Sequence, residues 1–489
     1  MKKIGYVIYI IIFFIILAIP LTTMALGIEN PNYEKRELAS MPKLFDENGF
    51  NSKFPAQFDS YFADNFGMRT YYTTAYGLVM SSLFNESSNS QVIKGSDGWL
   101  YYSSTLNDYM QRDILSDRDI QRLCRILSRQ QSYLNEQGIE FIFTVAPNKN
   151  TIYPEFMPKR YLQVNDSGNI DRLAAALKNT SVNYLDLSAV LTTAKRENPD
   201  VSIYHKTDSH WTNTGALAGY RALMDAIDDS LTDITYDKYE TTPFSVKNDW
   251  DGDLAAMYLP ALQLKDNQTY YDIPKTYKTK TPMGTVEDIS INTTSDRNDK
   301  KLVFFRDSFG NAIFPFIAEN LGEVYFSRAV PYNYSIVRDV APDVVVLEIV
   351  ERNISELLDR APVIYASLLD GIESVADSAV NGVLFSEEAG RNLKIYGYAD
   401  PSAALDADEI IIRLKNAAGE YTYETFPVLE KAIKEQVHAS YAKSDIESCG
   451  FSMMTDSTAI APGTYDVELI INNGSSYRSA VIGSIEITA

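Results

Sequence analysis

The residues best equipped for chemistry lie in two short stretches. In Tyr204-His205-Lys206-Thr207-Asp208-Ser209-His210-Trp211-Thr212-Asn213 a carboxylate stands two residues before an imidazole, which offers an orienting acid and a base together. Farther along, Leu302-Val303-Phe304-Phe305-Arg306-Asp307-Ser308-Phe309-Gly310-Asn311 runs an apolar strand into a turn that presents Ser308 ahead of a helical pattern. Acyl transfer through a hydroxyl needs this set: a weak nucleophile, a base to take its proton, and an acid to hold the base in one tautomer. Asp208, His210 and Ser308 therefore read as a hydrolase-type triad. The chain has 3 histidines, His205, His210 and His438, so a histidine-dependent mechanism has few choices. Each piece alone also suits a structural role: Asp208 or Ser308 as a helix cap, His210 as a half-buried packing residue.

Other polar residues stand near these in the expected fold. A helix starting after Ser308 directs backbone N–H groups at an oxyanion, and the Ser308 N–H is the first donor expected. Asn148 and Lys149 follow another strand and offer a second donor, a substrate contact or simple turn chemistry. Tyr204 and Trp211 bracket the Asp208 block and suit either a sugar-stacking platform or packing. Glu348, Glu351 and Arg352 end the last strong strand, where solvated or ion-paired edges are the expectation rather than a catalytic acid pair. Arg306 and Asp307 receive no chemical role. No cofactor is expected, and no metal-ligand cluster is visible.

The elements that must hold these groups read as an α/β sheet with helices on both faces. Ser116 and Asp119 make a capping box before Ile120, Leu123, Cys124, Leu127 and Leu134 at helical spacing. Strands are expected at Ile139 to Ala146, Val182 to Leu187, Leu302 to Phe305, Val324 to Phe326 and Val344 to Val350. Helices are expected at Asp171 to Lys178 and through Ala216, Leu217, Tyr220, Leu223 and Ile227. Ligands collect beyond the C-terminal ends of such strands, where Ser308 stands. Residues 231–299 form a polar insertion containing Trp250-Asp251-Gly252-Asp253-Leu254, long enough to shape a cleft. Val92 to Tyr102 reads as a hairpin turning at Ser96-Asp97-Gly98.

Composition and the ends of the chain set the compartment. The formal charge of −21 argues against nucleic acid and anionic membrane surfaces, and disfavours an acidic polymer. The two cysteines, Cys124 and Cys449, are expected to be free and structural. After Lys2-Lys3, Ile4 to Ile28 is uncharged and long enough to span a bilayer. Residues 1–28 thus read as a retained anchor or uncleaved signal, with a single pass and the main domains outside the cytoplasm. Between 29 and 90 lies a juxtamembrane helical section in which Phe54, Phe58, Tyr61, Phe62 and Phe66 are expected to pack into a core. Residues 29–375 then form the catalytic domain. Past Val375 the apolar pattern turns to period two, with turn signals at Pro462-Gly463 and Asn473-Gly474, so 376–489 read as a β-sandwich that binds carbohydrate or serves as a spacer.

Asp208-Ser209-His210-Trp211 and Arg306-Asp307-Ser308-Phe309-Gly310 resemble the two signature blocks of the DHHW and alginate O-acetyltransferase (J and X type) family of SGNH-hydrolase-like proteins. Further blocks resemble it in the same order: Glu34-Lys35-Arg36-Glu37-Leu38, Tyr61 to Arg69, Lys94 to Tyr101, Pro147 to Pro154, and Gly252-Asp253-Leu254. The second position of the name motif is Ser209 rather than His, so only Asp208 and His210 carry over. The resemblance implies a flavodoxin-like SGNH fold and a triad in the order Asp, His, Ser. It also implies O-acetylation or O-deacetylation of an extracellular polysaccharide, beside a membrane-bound O-acyltransferase. The competing expectation is a catalytically silent carbohydrate-binding or scaffold protein of exopolysaccharide machinery, and a reactive Ser308 separates the two.

Overall fold

Val344–Val350 has the sequence VVVLEIV, and all its residues are buried. A strand buried on both faces belongs in the interior of a sheet covered by helices, and the fold grows outward from it. The computed structural model describes every residue except 1, 29, 34–36, 48, 198, 232–233, 435–441 and 489. Part of the Glu34 to Leu38 block and His438 therefore lie outside the described residues.

In chain order the elements are α1 (Lys2–Ala25), α2 (Phe54–Asn65), α3 (Arg69–Leu83), β1 (Val92–Lys94), β2 (Leu100–Tyr102), α4 (Asp117–Asn135) and β3 (Glu140–Ala146). There follow α5 (Asn169–Leu177), β4 (Tyr184–Leu185), α6 (Leu187–Glu197), α7 (Asn213–Leu231), β5 (Phe244–Asp251), α8 (Asp253–Tyr258) and β6 (Lys265–Tyr271). Next come β7 (Lys278–Thr279), β8 (Ser290–Thr294), β9 (Lys301–Phe305), α9 (Gly310–Asn320), β10 (Glu323–Ser327) and β11 (Val344–Val350). The main sheet has the order β4-β3-β11-β9-β10-β8-β7. From β4 to β10 the pairing is parallel, and β8 and β7 extend it antiparallel.

Alternation along the strands sorts their side chains into two cores. Ile142, Leu302, Phe304, Val344 and Val346 share one core with Tyr220 and Ile227 of α7 and Ile313 and Ile317 of α9. Phe141, Phe143, Val303, Phe305, Val345 and Leu347 share the other with Leu123 and Leu127 of α4 and Leu173 of α5. Burying one such side chain contributes roughly 1.5–3 kcal/mol. The capping box of α4 forms as expected, with Ser116 Oγ accepting from the Asp119 N–H at 3.1 Å.

Three expectations need correction. The strand expected over Val182 to Leu187 shrinks to β4, because Leu187 already begins α6 and its side chain packs in the core. The insertion is not confined to the cleft: β7 and β8 join the edge of the main sheet, while β5 and β6 form a hairpin of their own. The aromatic face of α2 is not core either. Its Phe58 and Phe62 remain 36% and 38% exposed, and Phe54 stacks on Phe58.

The C-terminal strands make separate sheets. One has Val375–Ala376, Tyr477–Ile487, Gly463–Asn472, Glu409–Asn416 and Gly419–Glu424 as neighbours in that order, with its first pair parallel. The other joins Gly382–Ala389, Asn392–Ala399 and Gly450–Asp456 antiparallel. Leu393, Ile395 and Phe451 from one sheet meet Ile412, Val467 and Leu469 from the other in a shared core. Both cysteines are free and buried.

Candidate active site

Strand β9 ends at Phe305, and the next residues are fastened to the neighbouring strands. Arg306 N–H donates to Ser327 O at 2.9 Å, and Asp307 N–H donates to Glu348 Oε2 at 3.0 Å. The Asp307 carboxylate accepts from Phe309 N–H at 2.8 Å and from Val350 N–H at 2.7 Å. Helix α9 starts at Gly310, where any Cβ would come within 2.7 Å of the Arg306 side chain. This tight strand-to-helix turn leaves Ser308 half-buried, and among the described residues its N–H has no acceptor.

The Asp208 block is a loop pinched at its base by the Tyr204–Trp211 bridge, with His205 N–H donating to His210 O at 3.2 Å. From inside the fold the Lys149 ammonium donates to the carbonyls of His205 (3.0 Å), Lys206 (3.1 Å) and Asp208 (2.6 Å). The insertion closes over it from the other side. Gly252 has to be glycine there, since a Cβ would lie 2.2 Å from the Thr207 carbonyl oxygen.

These two loops bring the three expected residues together. His210 Nε2 lies 2.8 Å from Ser308 Oγ, and His210 Nδ1 lies 2.8 Å from Asp208 Oδ1. The second Asp208 oxygen accepts from Trp250 Nε1–H and from the Asp253 N–H, each at 3.1 Å. Burial alone would raise the pKa of Asp208, but its hydrogen bond to His210 and the neighbouring imidazoles outweigh that and hold the carboxyl well below its usual range. Burial lowers the His210 pKa, yet the hydrogen bond and charge of Asp208, with the charge of Asp253, leave it above the ordinary value. His205 is different: burial pulls it down to about 4, and it stacks on Trp250 with ring centroids 4.8 Å apart. A neutral His205 is the partner that a buried stack tolerates.

Trp250 and Asp253 were expected as part of a cleft-shaping insertion, Asp253 also within a block of the family resemblance, and they touch the candidate site directly. Asp253 also accepts from Ser209 N–H at 2.8 Å. The adjacency of a glycine and an acid in Gly252-Asp253 was the available sign of a close backbone approach. Asp208, His210 and Asp253 place ligand-type atoms within 4.8 Å of one another, and in this arrangement both His210 nitrogens are engaged by Asp208 and Ser308.

The secondary candidates are all buried beside the cleft. Asn148 is 1% exposed and spends its N–H on Glu351 Oε2 at 2.7 Å. Lys149 is buried beneath the Asp208 loop, and burial lowers its pKa to about 7. Tyr204 is fully buried with its hydroxyl on Pro147 O at 2.6 Å. Trp211 is 1% exposed and donates to Phe309 O at 3.0 Å. All four are packed into the loops they hold, and Trp211 also lines a cavity shared with His210 and Ser308. The acids at the end of β11, Glu348 and Glu351, also depart from expectation, being buried rather than solvated. Glu348 is fully buried, and burial beside Asp307 pushes its carboxyl far up. Burial raises Glu351 to about 7.

Ser308 and His210 open on two cavities. One of about 660 Å³ is lined by Tyr102, Ser209, Asp253, Met257 and Arg352. The other, about 920 Å³, is lined by Trp250, Tyr277, Met283, Val286 and Phe314.

Residues 92–304 match the family model described as SGNH hydrolase-like domain, acetyltransferase AlgX. This region of the chain is thus similar to SGNH-hydrolase-like acetyltransferase domains. The chain is also similar to a protein named probable alginate O-acetylase AlgJ from Pseudomonas aeruginosa, 26% identical over 34% of this chain and 40% of that protein. The chain thus spans less than half the length of the curated relatives it matches. A DHHW family protein from Eubacterium siraeum superposes over 54% of this chain and 91% of its own, at 18% identity and a TM-score of 0.41. The O-acetyltransferase domain of Pseudomonas putida AlgJ covers 54% and 91%, at 17% identity and a TM-score of 0.36. Upstream of the SGNH-like region, α1 contains one helix long and apolar enough to cross a membrane, Ile4–Ala25.

Proposed function

We propose that this protein transfers acyl groups, acetyl above all, to or from hydroxyls of an extracellular polysaccharide, with Ser308 as nucleophile, His210 as base and Asp208 as orienting acid. The observation that carries the reading is the continuous line Asp208 Oδ1, His210, Ser308 Oγ with 2.8 Å at each junction. That spacing lies inside the range for direct proton transfer. In the first half-reaction Ser308 Oγ attacks the ester carbonyl of the donor while His210 Nε2 takes the hydroxyl proton. The tetrahedral oxyanion lies against the Ser308 N–H. Collapse expels the donor alcohol, which leaves with the proton from His210, and an acyl-serine remains. In the second half an acceptor hydroxyl gives its proton to His210 and attacks the acyl-serine, and Ser308 regains its proton as the new ester departs. Asp208 stays ionised and holds the imidazolium.

The acetyl group and the polysaccharide come from the named relatives, and the −21 charge favours an acceptor that is not strongly acidic. An anchor at Ile4–Ala25 would hold the site outside the membrane beside a membrane-bound O-acyltransferase that supplies acetyl groups. Incubating the protein with an acetyl ester and neutral oligosaccharides, and following free acetate and acetylated sugar together, tests the reading. Acetylated sugar supports transfer, acetate alone supports hydrolysis, and neither product removes the enzyme reading.

A further inference from the structure

Helix α3 has two faces of opposite fate. Thr70, Thr74 and Gly77 are buried, with Thr74 Oγ1 accepting from Ala261 N–H at 2.9 Å and Gly77 packed against Leu259 and Tyr258. On the other side Tyr72, Tyr76, Val79 and Leu83 follow at helical spacing, and the last three are 58%, 50% and 73% exposed. From Thr70 to Phe84 no residue is charged. An uncharged helix showing a large aliphatic and aromatic stripe to water is unusual on a soluble surface.

The head of that stripe is fastened to α1. Tyr72 Oη donates to Ile16 O at 2.8 Å, Asn30 Nδ2 donates to Phe66 O at 2.7 Å, and Gly67 lies so close to Thr23 and Pro20 that no Cβ fits. Ile16 stands nine residues before the end of α1, about 14 Å down the helix axis. From Ile4 to Leu17 the side chains of α1 are exposed, so the helix and the stripe present one continuous apolar surface.

We propose that α3 is a second membrane-contact element, its Tyr76, Val79 and Leu83 stripe seated in the outer leaflet of the bilayer that α1 enters. The occupant is uncharged acyl chain and headgroup boundary rather than an anionic surface, because the stripe carries no cation and the protein's −21 charge would be repelled by one. The buried face of α3 then links the membrane to the site. Ser81 Oγ meets Tyr258 Oη at 2.5 Å at the end of α8, and the first residue of α8, Asp253, donates its N–H to Asp208. One six-residue helix thus separates the lipid-facing element from Asp208 and holds Ser308 at a set height over the membrane.

This inference rests on α1 as a membrane anchor and is independent of the acyl-transfer reading. Full-length protein in phosphatidylcholine vesicles tests it, with the environment-sensitive NBD fluorophore attached at Ile10→Cys, Val79→Cys, Leu83→Cys or Leu162→Cys in turn, the native cysteines being buried. Addition of doxyl-labelled lipid should remove most of the emission at Ile10, Val79 and Leu83 and none at the exposed Leu162. Quenching at Ile10 alone overturns the proposal and keeps the anchor. Emission at Val79 and Leu83 that is shifted to the blue yet unquenched overturns it in favour of a protein-covered face. No quenching at any position removes the anchor and the proposal together.

Discussion

Two loops leave the same edge of the same sheet and meet different fates. After β3, Pro147-Asn148-Lys149-Asn150 turns inward and is buried throughout. After β9, Arg306 stays buried while Asp307-Ser308 turns outward and leaves Ser308 at the mouths of two cavities. Strand β11 runs between β3 and β9, and it and the residue after it tie down both: Glu351 accepts from Asn148 N–H, and Glu348 accepts from Asp307 N–H. Standing beyond a strand's C-terminal end therefore does not make a polar residue reactive. A residue there is available only if its hydrogen-bonding groups are not already consumed by the scaffold, and Ser308 Oγ has His210 as its partner while Lys149 has three carbonyls.

The largest expected effects fall on the outward loop. Ser308→Ala should lower acyl transfer by roughly 10⁴-fold or more, with circular dichroism unchanged, since at most a cap of about 1 kcal/mol is lost. His210→Ala should be comparably severe, because His205 stands stacked on Trp250 and bonded to Gln268 rather than near Ser308. Asp208→Asn should cost roughly 10- to 100-fold less than either, as an orienting acid does when the nucleophile and base remain.

The inward loop should respond in stability first. Lys149→Met leaves the three carbonyls under the Asp208 loop without their donor, and about 2–4 kcal/mol of stability should be lost in denaturant unfolding. If the protein instead keeps its stability and loses only activity, Lys149 belongs with the chemistry and the contrast between the loops breaks.

A pH profile sharpens the comparison further. His210 works as a base only when neutral, and its pKa is held above the ordinary value. Activity should therefore rise with pH along a limb centred above about 6.5. Asp253→Asn removes one of the charges that raise it, so the limb should move to lower pH. A limb that moves upward would contradict the assigned electrostatics.

The smallest effect is expected at Glu348→Gln. Burial beside Asp307 pushes this carboxyl far up and so favours its neutral form, and a neutral isostere with a carbonyl acceptor for Asp307 N–H should change stability by less than about 1 kcal/mol. A loss several times larger in thermal unfolding would mean that Glu348 is ionised in the fold.

Much of this was legible in the sequence because the chemistry is local. Asp208 and His210 are two residues apart, and Ser308 follows an apolar strand, so residue type and periodicity sufficed. The buried runs of β3, β9 and β11 announced a sheet covered on both faces. What stayed hidden depends on contacts across the chain. Trp250 and Asp253 sit in an insertion with no periodic pattern and reach Asp208 only through the Gly252 approach. Asn148 and Lys149 occupy a position that reads the same whether it faces a ligand or the core. Tyr204 and Trp211 look like a platform in one dimension and are packed in three. The stripe of α3 was unreadable for a different reason, since exposure on that face is decided by how α1 and α8 pick its two sides. We propose, in addition, that 29–375 and 376–489 are separate folding units, joined where Val375 pairs with Arg478 and where Phe426 and Val428 pack into the core of the first.

The most direct measurement of the central claim is intact-protein mass spectrometry after brief exposure to an activated acetyl ester, followed by peptide mapping. The account predicts one acetyl group on Ser308, slowed strongly in His210→Ala and absent in Ser308→Ala. Acetylation that persists undiminished in Ser308→Ala, or no acyl-enzyme at Ser308 under conditions of turnover, would contradict it.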